Sequence, residues 1–117
     1  MDNTVLEFIA EQTKALLEAP TCSAETKEAA QNWLTALGSS KQGEETERYL
    51  AELEEDIMPI DQLIGFAGSE AGAAYFGTET AAGIAAHAEE IKSGGAKYCD
   101  CPACAIVEMI LKKAGKL

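Results

Sequence analysis

Positive charge is scarce in this chain: nine Lys and Arg stand against twenty Asp and Glu, for a net charge of −11, and Arg48 is the only arginine. Binding nucleic acid as a main role needs a basic surface that neutralises phosphates, so that class is set aside. Long apolar runs are missing too. No stretch approaches the ~20 apolar residues of a membrane-spanning helix. The N-terminus shows no basic region ahead of an apolar run, so no secretory leader is expected. The reading is a cytoplasmic protein, in a compartment that keeps thiols reduced. Aromatics are few, 6% within a hydrophobic content of 47%. Alanine carries much of the apolar count, which predicts helices packed closely on small side chains. No segment alternates in the manner of a strand, and no internal repeat or low-complexity linker appears. No Walker or G-x-G-x-x-G pattern is present, and the single histidine, His87, leaves little material for a Ser/His/Asp grouping. These absences argue against an enzyme.

What is present is helical periodicity. Val5, Leu6, Ile9, Leu16 and Leu17, with Thr13 between, form one stripe over residues 3–18, which Asn3 or Thr4 can cap and Pro20 ends. Ser23 caps a second helix over about residues 24–37 that buries Ala30, Trp33, Leu34 and Leu37, with Gly38 as the residue after its end. A third, from about Glu44 to Ile57, carries Tyr49, Leu50, Leu53 and Ile57 on one face and a run of carboxylates on the other. With little apolar shielding, those carboxylates read as a solvated face, and Arg48 is expected to pair with Glu44 and Glu52. Pro59 starts a helix through Ile60, Leu63, Ile64 and Ala67, with a break near Gly68-Ser69 and a short helix from about Glu70. Gly65, Gly68 and Gly72 fall on one face and are expected to let another backbone approach. Thr78 caps a further helix with Ala82, Ile84, Ala85, Ala88 and Ile91, ending at Gly94-Gly95. A last helix over about 102–114 packs Ala103, Ile106, Val107, Ile110 and Leu111. The fold expected is an all-α bundle of five to seven helices, one domain over residues 1–117.

Charge is unevenly spread. Residues 92–117 hold five lysines against Asp100 and Glu108, a net +3, and the rest of the chain carries −14. Such an acidic surface keeps a protein soluble and can select a basic partner.

The chemistry lies in the cysteines. Cys99, Cys101 and Cys104 are spaced C-x-C-x-x-C, and Cys22 stands alone near the N-terminus. Pro102 suits the first position of a helix, where its missing N–H has no partner to lose. Cys101 then becomes the N-cap and Cys104 the third helical residue. Both sulfurs lie near free backbone N–H groups and the positive end of the helix dipole, which favours thiolate. Lys97 adds to that effect and Asp100 opposes it. Clustered cysteines in a reducing compartment point to metal or catalysis. Four thiolates are a common shell for structural zinc, and the expected ligand set is Cys22, Cys99, Cys101 and Cys104 around one Zn²⁺. An iron–sulfur cluster is the weaker metal alternative, because none of the usual ferredoxin spacings matches.

A rival reading takes Cys101-Pro102-Ala103-Cys104 as a redox dithiol of thioredoxin type, although those proteins place it after a strand in a βαβ fold. Plain core cysteines are a third reading. His87, in Ala-rich surroundings, is kept as a fifth ligand or proton shuttle. A nucleophilic cysteine enzyme would need His87 close by and an orienting group.

Taken together, Cys22-Ser23-Ala24-Glu25, Trp33-Leu34, Asp56-Ile57-Met58-Pro59-Ile60-Asp61 and the stretch from Ala96 through Cys104 resemble a group of short, uncharacterised bacterial proteins, some of which carry a heat-shock chaperone label. The chain is too short for the ATP-binding domain of the large heat-shock chaperone and has no nucleotide motif, so the resemblance implies no activity and no site residues. The functional expectation is a non-enzymatic, metal-stapled helical scaffold that meets a protein partner, with no nucleic acid and no membrane involved.

Overall fold

Seven helices account for most of the computed structural model, which describes residues 2–117: α1 (Asn3–Glu18), α2 (Ala24–Ala36), α3 (Gln42–Asp56), α4 (Ile60–Ala67), α5 (Glu70–Phe76), α6 (Thr78–Ser93) and α7 (Pro102–Lys113). The all-α expectation holds. Among the described residues the only β pairing is one isolated antiparallel bridge, Pro59 with Tyr98. The helices gather into two compact units. The first comprises residues 1–57 and 100–117, and the second is the intervening stretch, Met58–Cys99. No helix among the described residues is long and apolar enough to cross a membrane.

In the first unit α1 packs on α7 and α2, and α3 packs on α2 and α7, closing a ring of four helices. Trp33, Tyr49, Ile9, Leu16, Leu53, Ile110 and Leu111 are fully buried at its centre. Two polar contacts are built into this core. The Thr13 and Tyr49 hydroxyls lie 2.8 Å apart. The Trp33 indole N–H donates to Thr46 Oγ1 at 2.9 Å, and the ring stacks on Tyr49 with centroids 5.3 Å apart. A buried Trp or Tyr keeps its polar end satisfied in this way.

In the second unit α4 and α5 both pack on α6. The buried side chains here are smaller: Ile60, Leu63, Ala67, Ala81 and Ala88. Of the glycine row, one member makes the close approach: a methyl added at Gly72 would sit 1.9 Å from the Phe66 carbonyl oxygen. Gly65 meets nothing within 4 Å, and Gly68 is the C-cap of α4. The row therefore serves one tight turn between α4 and α5 and not a shared face.

Several local expectations are corrected. Asp2, not Asn3 or Thr4, caps α1, its carboxylate accepting from the Val5 N–H at 2.9 Å. Gly77, at φ +88°, precedes α6 in the capping position, and Thr78 is already helical. Helix α3 begins at Gln42, two residues earlier than expected. Arg48 pairs with Glu44 at 2.9 Å and Glu45 at 3.4 Å, so Glu45 takes the place expected for Glu52.

Candidate metal centre

The cysteine-bearing segment is shaped by what precedes it. Gly94 caps α6 and Gly95, at φ +102°, reverses the chain in a conformation that side chains resist. The returning backbone runs antiparallel to the start of α4. The Ile60 N–H donates to the Lys97 carbonyl at 2.8 Å, and the Cys99 N–H donates to the Met58 carbonyl at 2.9 Å. Cys99 is thereby fixed by its own main chain, with its side chain buried.

Two residues on, Cys101 takes extended torsions (φ −60°, ψ 159°) and caps α7 with Pro102 in the first turn, as expected. The Cys104 N–H donates to Cys101 Sγ at 3.4 Å. The Ala105 N–H donates to the Cys101 carbonyl at 2.9 Å. The Ala103 N–H donates to Thr21 Oγ1 at 3.0 Å, a contact spanning 82 positions in sequence. Proline has no N–H to satisfy, so the orphan donors of the first helical turn are all accounted for. The backbone N–H and the helix dipole together stabilise negative charge on the Cys101 sulfur.

The outcome is a three-sulfur group. The Sγ atoms of Cys99, Cys101 and Cys104 all lie within 4.8 Å of one another, close enough to hold a metal ion. All three come from one stretch of six residues, so their grouping is a local property of that stretch. His87 is not part of the group and lies exposed on α6.

Cys22 falls outside the group as well, yet it is not remote from Cys104. The Thr21 bond to α7 draws the residues before α2 against the first turn of α7. A cleft of about 110 Å³ forms there, lined by Cys22 and Cys104 together with Thr21, Thr26 and Asp56. The Cys22 N–H donates to the Ala19 carbonyl at 3.2 Å, and its thiol contacts the Ser23 carbonyl at 3.7 Å. Burial pushes the Cys22 thiol above its ordinary range; Lys27 acts against this and Asp56 reinforces it. The position just before a helix does not by itself make this cysteine a thiolate.

Sequence reasoning passed over the cleft's polar wall. Asp56 lies on the exposed acidic face expected of α3, and its carboxylate also accepts from the Thr26 hydroxyl. Thr26 Oγ1 also sits 2.8 Å from Ser23 Oγ, and the latter accepts the Thr26 N–H at 3.2 Å. The carboxylate is thus tethered to the N-terminus of α2, beside Cys22. Ser23 was recognisable as a cap; nothing in the sequence pairs Thr26 with Asp56.

Compared with protein-family models, with curated proteins and with solved structures, the chain matches none of them. The reading of function therefore stands on the cysteine geometry.

Proposed function

We propose that the chain is a non-enzymatic helical scaffold whose cysteines bind one Zn²⁺, with Cys99, Cys101 and Cys104 as three ligands and Cys22 as the fourth. The observation that carries the reading is the mutual approach of three sulfurs within 4.8 Å. A tetrahedral shell with bonds of about 2.3 Å sets its sulfurs roughly 3.8 Å apart, so the three need only contract slightly. The cleft shared by Cys22 and Cys104 supports Cys22 as the remaining ligand. Four thiolates around zinc carry a net charge of −2, which the N–H groups at the start of α7 help to offset. The metal would fasten the loop before α2 to the start of α7. The acidic surface then favours a basic protein surface as partner.

Elemental analysis of protein purified without chelators tests the assignment. About one zinc per chain is expected, abolished by Cys104→Ser and weakened by Cys22→Ser. Metal-free protein that reduces insulin disulfides, and loses that activity in Cys101→Ser, would replace the scaffold with the Cys101-Cys104 redox dithiol.

A further inference from the structure

The two sets of cysteine contacts differ in a way that bears on which metal the group retains. Three sulfurs are already together, on six consecutive residues. The fourth is held apart by its surroundings: the backbone around Cys22 is tied on one side by its own N–H to Ala19 and by Thr21 to Ala103, and on the other by the Ser23 cap of α2. Ions that need four sulfurs must draw Cys22 in, and ions content with three need not.

We propose that Cys22 is the residue that sorts metals at this site. Soft monovalent ions, with Cu(I) as the type, bind to Cys99, Cys101 and Cys104 alone, whereas zinc is held tightly only when Cys22 crosses the cleft to complete its shell. This rests on the reading of the three cysteines as metal ligands. The chemistry follows from charge and coordination number. Thiolates select both Cu(I) and zinc, but zinc in closed protein sites is almost always four-coordinate, while Cu(I) accepts a trigonal shell. Cu(I) with three thiolates and zinc with four both carry −2, so the helix N-terminus does not distinguish them. Zinc on three thiolates alone carries −1 and keeps an open position for water. The discrimination therefore lies in the number of sulfurs. The partial exposure of Cys101 and Cys104 leaves a path by which an ion can be delivered to a three-sulfur shell.

The test compares the full chain with Cys22→Ser under anaerobic, reducing conditions. Zinc affinity is read by competition with a chromophoric chelator and Cu(I) affinity by competition with bicinchoninate. Loss of a ligand is expected to weaken zinc by at least about tenfold, on the scale of other metal-site substitutions, while Cu(I) changes by no more than about threefold. X-ray absorption on the unaltered protein gives the same answer without a variant: three sulfurs around copper, four around zinc. Equal sulfur counts for the two metals, or equal losses in Cys22→Ser, would overturn the sorting role while leaving the metal site in place. A chain that binds neither ion would instead reject the metal site itself, and this inference with it.

Discussion

Tyr49→Phe removes one oxygen from the core of the first unit and changes almost nothing else. Thr13 and Tyr49 are 0% and 1% exposed, and their hydroxyls meet at 2.8 Å, joining α1 to α3. Deleting the Tyr49 hydroxyl strands the Thr13 oxygen in the core, at a cost of roughly 1–3 kcal/mol. Thr13→Val strands the Tyr49 hydroxyl at a similar cost. The double variant strands neither, so it should fall short of the sum of the two singles by about 1–2 kcal/mol. Urea unfolding followed by Trp33 fluorescence is a suitable readout, because the indole stacks directly on Tyr49.

The same residue has a signature at high pH. Burial is the main cause that pushes the Tyr49 phenol up to about 12, from an ordinary value of 10.0. Between those values the unfolded chain releases this proton before the folded one does, so stability present below pH ~10 falls as pH rises, by roughly 2–3 kcal/mol in all. Subtracting the Tyr49→Phe profile from the parent profile isolates that loss. Additive single substitutions would refute the buried hydrogen bond, and parallel alkaline profiles would refute the desolvation of the phenol.

Two other substitutions follow from the geometry. Gly72→Ala sets a methyl 1.9 Å from a main-chain oxygen that cannot swing aside, and should destabilise the chain by ~3 kcal/mol or more by far-UV circular dichroism in urea; Gly65→Ala, with open space around it, should be neutral or stabilising. Glu52 is held above the ordinary carboxylate range by partial desolvation and by Asp56, Glu55 and Glu25, so stability is greatest while it stays protonated and falls as pH rises. Glu52→Gln should therefore raise the urea midpoint at neutral pH, with a gain that vanishes in acid; an unchanged midpoint at both pH values would remove Glu52 from any strained pairing.

How far the chain could be read in advance depended on the range of the interactions involved. The apolar stripe of Ile9, Thr13 and Leu16, the Ser23 cap, and Pro102 following Cys101 are settled within a turn or two of helix, and each was legible. Errors arose where neighbouring residues compete for one role. Asp2 outcompetes Asn3 for the cap of α1, and Glu45, three residues before Arg48, takes the place expected for Glu52. Long-range pairing left no trace in the sequence. The three-sulfur group was visible because its members share one short segment, whereas the placement of Cys22 depends on Thr21 meeting Ala103. That contact needs α1, α2 and α7 already packed, and no local pattern announces it.

The bridge between Pro59 and Tyr98 has a consequence for chain entropy. The first unit is interrupted by an excursion of the chain from Met58 to Cys99, and hydrogen bonds at Met58 and Ile60 hold the outgoing and returning strands of that excursion side by side. While the second unit is folded, the first is in effect closed by a short clasp. When it melts, the clasp becomes a slack loop of about 40 residues, whose closure costs on the order of 3 kcal/mol by the logarithmic length rule. The small, alanine-lined second unit therefore contributes to the stability of the first simply by keeping its own two ends together.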